Sequence, residues 1–466
     1  MPPTLALIVW LVLLLALLYL DPARISETSV ALWVPVTWIF FVASRLPSQW
    51  LGSEGGEIHQ ILVEGNSLDR SVDLVLIVMA LVILVSRLFG WGRFFARNAA
   101  LMVFLMFALV SLLWSDFPFV AFKRWFRDLG NYIMILVVLT DQRPLEAIRT
   151  VARRLCFLLI PLSILLIKYF SLLGRQYTVW QGTAMYTGAT TSKNMLGAVC
   201  LMSGLFFFWD TVTRWPERNQ RKIKQILAVN FALFGMTLWL LKLSDSATSR
   251  TCLIIGCLVV WVTHTEFFKR HPGLVKFLIP SAFIIYVILA FGLDLNGYLA
   301  RALGRDPTLT ERTTIWSAVL SAKTNPLIGT GYESFWLGTR LQDLSRVIPG
   351  INEAHNGYLD IYLNLGYIGA VLLCLLLIAW YRRIWQTFET SFALASLGLA
   401  VWAVLLFYNM TEVAFKSGLL WMTLQFVALA VPERKTDRIV NTVGLVDVGP
   451  SHKFSRVLPE VARRQH

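Results

Sequence analysis

Lys193, Arg250, Arg312 and His355 each stand at the edge of an apolar stretch. Lys193 and Asn194 open a span in Thr190-Thr191-Ser192-Lys193-Asn194-Met195-Leu196-Gly197, and Arg250 ends the hydroxyl-rich turn Ser244-Asp245-Ser246-Ala247-Thr248-Ser249. Arg312 lies near the start of the run 310–320, and His355 stands in Ala354-His355-Asn356-Gly357-Tyr358, where another span begins. Arginine grips phosphate with parallel N–H donors and can hold it as it leaves, while a neutral imidazole can take a proton near pH 7. A helix N-terminus disfavours imidazolium and attracts phosphate, so His355 is expected to be neutral. Asn356, Asp360 and Asn364 follow at i, i+4 and i+8, a polar stripe that should face the bundle interior or a wet cavity. Each feature also has a plainer reading, as a helix cap beside a snorkelling cation or as an interfacial histidine. Together, several cations around one base suit a lipid-linked diphosphate.

The elements that must position these groups are apolar helices. The chain has 466 residues, 56% hydrophobic and 15% charged, with mean hydropathy +0.63. Soluble domains carry roughly 25% charged residues, and a soluble protein of this length could not hide so much apolar surface. The apolar residues come in blocks, among them 2–20, 72–88, 155–170 and 371–380. About thirteen candidate spans of roughly 16–22 residues centre near Leu13, Ile39, Val78, Met106, Ile135, Leu162, Leu201, Leu233, Val259, Ile285, Leu372, Leu399 and Leu424. The first block lacks the basic leader and cleavage site of a signal peptide and is expected to be a retained helix. The fold class expected is an all-α polytopic membrane protein of about 12–13 transmembrane helices.

Charge orients the bundle. The connections 86–98, 141–154, 210–225, 264–276 and 381–390 alternate along the chain and are rich in Lys and Arg. With the C-terminal tail they carry about 25 basic residues in about 110 positions, against about 17 in about 148 on the other side. The basic side is therefore expected to be cytoplasmic, which accounts for the net charge of +14 without nucleic acid as a partner. Four parts follow: a first bundle section at 1–293, a long outer loop at 294–357, a second section at 358–431, and a polar cytoplasmic tail at 432–466 expected to be disordered. The loop holds Trp316, Tyr332, Phe335 and Trp336, paired glycines and both signs of charge, so it should fold against the bundle. Within it, residues 310–320 read as an amphipathic helix with Thr310 as its cap, lying on the membrane surface. Asn325-Pro326 ends that helix, and Gly329-Thr330-Gly331-Tyr332 makes a turn.

Other chemistries find little support. The five cysteines all fall in apolar blocks without metal-ligand spacing. There is no phosphate-binding loop, no dinucleotide fingerprint and no acidic pair at metal-binding spacing, so neither a metal nor another cofactor is expected. Lys123-Arg124-Trp125-Phe126-Arg127 runs against the charge rule and reads as an amphipathic interfacial helix, with a phosphate contact as the alternative. Asn409-Met410-Thr411 fits a glycosylation pattern by chance, and Glu412 with Lys416 reads as a structural i, i+4 pair.

The run from Arg312 to Trp316, then Asn325-Pro326 with Gly329-Thr330-Gly331-Tyr332-Glu333-Ser334-Phe335-Trp336, then Ala354-His355-Asn356-Gly357-Tyr358-Leu359-Asp360 and Leu365-Gly366 with Gly369, resembles the O-antigen ligase and polysaccharide polymerase superfamily. Ser192-Lys193-Asn194 and Asn409-Met410-Thr411-Glu412 also match, and the exopolysaccharide-polymerase branch is the most similar. The resemblance implies a C-type glycosyltransferase fold in the bacterial inner membrane, with its site facing the periplasm and the C-terminus in the cytoplasm. It implies transfer of a glycan from undecaprenyl diphosphate to a hydroxyl, without metal. It assigns catalysis to His355, Arg312 and Arg250, and leaves Lys193, Asn194, Asn356, Asp360, Tyr332 and Trp316 as substrate-binding candidates. The turn before Arg250 is longer than the family's usual one.

Three readings stay open. The first is a polymerase of lipid-linked repeats, with membrane lipid and other polysaccharide assembly or export proteins as the partners to look for. The second is a ligase placing glycan on lipid A core or protein. The third is a lipid-glycan transporter, which would show broken spans with charges at the midplane.

Overall fold

The structure, a computed structural model, describes residues 1–21, 28–52, 65–177, 182–292, 310–416 and 418–431. The tail 432–466, the first part of the long loop at 294–309 and the Thr310 cap lie outside the described side chains. Helices of ten residues or more are α1 Pro3–Tyr19, α2 Trp33–Ala43, α3 Ser67–Ser86, α4 Ala99–Val110, α5 Pro118–Leu139, α6 Pro144–Tyr169, α7 Lys193–Arg214, α8 Arg221–Leu243, α9 Ala247–Thr263, α10 Pro272–Gly292, α11 Thr310–Ser321, α12 Gly338–Val347, α13 Gly357–Thr387, α14 Phe392–Tyr408 and α15 Leu419–Ala428. Every one of the expected span centres falls inside one of them.

The chain is an all-α polytopic membrane protein. Long uncharged runs leave the backbone no partner but itself, and a helix satisfies every N–H and C=O within one segment. Five helices, α6, α7, α8, α10 and α13, are long and apolar enough to cross a membrane, and α3 joined to Trp91–Arg97 across a 102° bend would be a sixth. The other apolar helices are shorter, and α5 carries Lys123, Arg124, Arg127 and Asp128 in its first half. Outward-facing Ile8 and Val12 of α1, and Phe277, Ile284 and Ile288 of α10, form an apolar exterior that lipid would cover. At the centre α14 is buried nearly all round from Ala395 to Leu406.

Three helices begin at the same end of the bundle as the long loop, each with a side-chain cap. Ser192 accepts from Met195 N at α7, Ser246 from Ser249 N at α9, and Asn356 from Tyr358 N and Leu359 N at α13. A short hairpin, β1 Arg175–Tyr177 paired antiparallel with β2 Ala184–Tyr186, precedes α7.

The long loop docks into a break in α13. Gly366 has φ +65° and ψ −166°, a conformation that interrupts the helix. The freed groups are taken up by the loop: Thr330 N donates to Leu363 O (3.1 Å) and Gly331 N to Asn364 O (2.9 Å), while Tyr367 N donates to Pro326 O (2.8 Å). The approach is so close that a Cβ on Gly329 would overlap the Asn364 carbonyl, and one on Gly366 the Leu327 carbonyl. On α11, Ile315 and Val319 are buried with Phe335, Trp336, Leu344 and Ile351 of the loop and Leu363 of α13, while Leu320 stays exposed.

Candidate active site

The turn after α14 gathers the site. Asn409 Nδ2 bonds Leu405 O and its Oδ1 accepts from Ala414 N, while Gly357 N donates to Asn409 O at 2.8 Å, fixing the turn to the start of α13. The Thr411 and Thr248 hydroxyls lie 2.8 Å apart and fix it to the start of α9. Glu412 therefore projects where α7, α9, α11 and α13 converge, with its side chain 6% exposed. Its carboxylate accepts from Arg312 Nη2 (3.1 Å) and from Asn194 Nδ2 (3.3 and 3.2 Å to the two oxygens). Such charge-assisted bonds fix both partners.

His355 completes the cluster. Its Nδ1 lies 3.2 Å from Glu353 Oε1 and 3.6 Å from Glu412 Oε2, and its backbone is held at φ +47°. A non-glycine residue in that region costs about 1–3 kcal/mol and persists where surrounding structure over-determines it. The lowering influence expected from the helix N-terminus is outweighed here. Contact with the Glu412 carboxylate raises the His355 pKa above its ordinary 6.5, the charges of Glu353 and Glu412 add to this, and burial and Arg312 oppose it. The cap at α13 is already taken by Asn356, and two carboxylates outweigh the helix's partial charge. Burial raises the Glu353 pKa as well.

The remaining sequence candidates divide into those beside the cluster and those that hold its frame. Lys193, the first residue of α7, has no ion-pair partner among the described residues. Arg250, in the first turn of α9, pairs with the exposed Asp245 at 3.2 Å and stays 38% exposed; it makes no contact with Glu412. Trp316 donates from Nε1 to Ala354 O (3.0 Å), fixing the backbone next to His355. The Tyr332 hydroxyl donates to Asp128 on α5, and Tyr332 N donates to Ser111 Oγ at 2.9 Å. The stripe of Asn356, Asp360 and Asn364 is buried throughout. Asn356 caps α13; Asp360 accepts from Trp336 Nε1 (2.7 Å) and lies 3.9 Å from Lys416 Nζ; Asn364 Oδ1 accepts from Ser334 N and Phe335 N (3.0 and 3.1 Å).

Glu353 is not singled out by sequence, and Glu412 and Lys416 are read there only as a structural pair. The i, i+4 pairing of Glu412 with Lys416 does not form, because α15 starts only at Leu419 and the two residues lie in an irregular turn. Each instead finds a partner from another segment. The one available signal was the Asn409-Met410-Thr411-Glu412 run in the family resemblance.

Glu353, His355 and Glu412 place one ligand atom each within 4.8 Å of one another, close enough to share a cation. Residues far apart in sequence form this group, so spacing alone could not disclose it. Arg312 and Asn194 already donate to the Glu412 oxygens, and a divalent ion would have to compete with both. The donor set is that of a carboxylate orienting an imidazole and a guanidinium. Chemically it can accept a proton at His355 and hold a developing negative charge with Arg312.

Residues 182–374, from just before β2 to a point past the break in α13, match the family model described as O-antigen ligase. The exopolysaccharide production protein ExoQ of Rhizobium meliloti (strain 1021) is 26% identical over 309 residues, 61% of this chain and 64% of that protein's length.

Proposed function

We propose, from the premise that this chain belongs to the O-antigen ligase and polysaccharide polymerase superfamily, that it is a glycosyltransferase extending a lipid-linked saccharide at the periplasmic face of the bacterial inner membrane. The single observation that carries this is the Glu412 carboxylate holding Arg312 and Asn194 and lying against His355. In the step proposed, His355 takes the proton of an acceptor hydroxyl. The oxygen attacks the anomeric carbon, forming the new glycosidic bond, and the bond from that carbon to undecaprenyl diphosphate breaks with its electron pair on phosphate. Arg312, Arg250 and Lys193 stabilise the departing diphosphate. Glu412 and Glu353 orient the imidazole and stabilise the imidazolium that forms, as a carboxylate does in other base-orienter pairs. The residues supply base and electrophilic stabilisation themselves, so turnover should survive chelators.

The choice of polymerase over ligase leans on the likeness to an exopolysaccharide production protein. A transporter would use a broken span to line a pathway, but the break in α13 is filled by the loop's own backbone. To test the reading, purified protein is given a lipid-diphosphate-linked glycan. Longer lipid-linked products support polymerisation, and drainage of the pool onto another molecule supports ligation. Unchanged turnover in both His355→Ala and Arg312→Ala would sink the mechanism.

A further inference from the structure

Beside the cluster lies a cavity of about 400 Å³, within the roughly 300–1,000 Å³ of ligand pockets. Arg124 and Arg127 of α5, Glu333 of the loop and Lys416 line its polar side, and Phe41 and Val42 of α2 its apolar side. Neither the family match nor the proton-transfer cluster accounts for it. The α5 cations in it are the ones that run against the charge rule.

Its charges are matched. Arg124 Nη1 lies 4.0 Å from Glu333 Oε2, Arg127 Nε 3.2 Å from Asp73 Oδ2, and Lys416 Nζ 3.9 Å from Asp360 Oδ2. A diphosphate needs uncompensated positive charge, which this cavity lacks. Cations facing carboxylates instead present donors and acceptors with little net charge, the surface a polyhydroxylated ligand needs. The apolar side suits the C–H face of a sugar ring. Glu333 is held at φ +52°, so the backbone is strained at the residue that brings a carboxylate into the cavity.

The start of α7 separates this cavity from the exposed cations. Thr191 and Met195, four residues apart, line it. Asn194 turns to Glu412, and Gly197 packs on Ser246 and Ser249 at the start of α9. Lys193 shares the stripe of Gly197, on the side where Arg250 stands. We propose that the cavity is the acceptor subsite, holding the hydroxyls of an uncharged saccharide unit, while the donor diphosphate binds on the Lys193 and Arg250 side. This rests on the transferase reading above.

The test uses the full chain in nanodiscs and two probes in binding titrations. One is lipid-free oligosaccharide released by mild acid from the lipid-linked pool of cells lacking this protein; the other is inorganic diphosphate. Val42→Trp, which fills the cavity, and Arg127→Gln, which removes a donor, should each weaken the oligosaccharide by about tenfold or more and leave diphosphate within about twofold. Arg250→Gln should do the reverse. The assignment is overturned if the wild type binds no oligosaccharide. It is equally overturned if either cavity variant, monodisperse and melting like wild type, binds oligosaccharide normally or loses both probes together. A protein that binds the oligosaccharide in this cavity but never transfers it refutes the transferase reading, and with it the acceptor role, and leaves only a saccharide-binding cavity.

Discussion

Two polar clusters lie at opposite ends of the bundle and are built on opposite principles. Away from the loop, Asp210 of α7 is fully buried and meets Arg149 Nε (3.3 Å), Arg153 Nη2 (3.3 Å), Arg214 Nε (2.9 Å) and Asn230 Nδ2 (3.0 Å), while Arg153 also reaches Asp21 at 3.3 Å. Apart from Asp21, these residues come from regular helices, and the ions face one another. At the loop end Glu412 sits in an irregular turn and His355 is strained, as are Asp245 and Glu333. Arg250 is partly exposed there and Lys193 lacks an ion partner among the described residues. The first arrangement locks α6, α7 and α8 together. The second leaves Arg250 partly exposed and paired, among the described residues, only with the exposed Asp245. A buried ion network is therefore no sign of a site until its exposure and backbone strain are weighed.

Substitutions should separate the two ends. The largest expected effect on rate is His355→Ala, a loss of roughly 10²–10⁴ in kcat with the melting temperature unchanged, checked by glycan transfer and thermal unfolding in parallel. Asp210→Ala should give the opposite pattern. Leaving several buried guanidinium groups uncompensated costs about 3–5 kcal/mol, so the melting temperature should fall sharply while activity per folded molecule holds. An Asp210→Ala protein that melts normally but transfers no glycan would erase the distinction.

Gly366→Ala should come next. It places a methyl against the Leu327 carbonyl at a positive φ, so the loop should undock, exposing its 326–331 segment to protease and lowering transfer. The smallest effect expected is from Lys193→Gln, a several-fold weaker inhibition by inorganic diphosphate with a several-fold lower kcat. A surface lysine without a role would leave that inhibition constant where it was.

The helices were legible because uncharged runs of that length can satisfy their backbones only as helices. Asn194, Arg312 and His355 were legible as residue types at span edges, and the structure brings them together around Glu412. Glu412 was legible only as a structural residue, because its weight comes from partners on three other segments. The same holds for Gly366, whose conformation makes sense only with Pro326 and Leu327 laid against it. The direction of the His355 pKa shift differs from the expectation for a related reason: the helix end is visible in sequence, and the two carboxylates facing the ring are not.

The pH dependence of kcat/KM for purified protein, wild type beside Glu412→Gln and Arg312→Gln, tests the loop-end cluster most directly. The sign follows from the causes. A raised His355 pKa keeps the imidazole protonated to higher pH, so the rate should climb only as pH rises above the ordinary histidine value of 6.5. Glu412→Gln removes the largest raising influence and should move that limb to lower pH, along with a slower plateau. Arg312→Gln removes a lowering one and should move it to higher pH. Limbs that coincide in all three proteins would contradict a base set by Glu412.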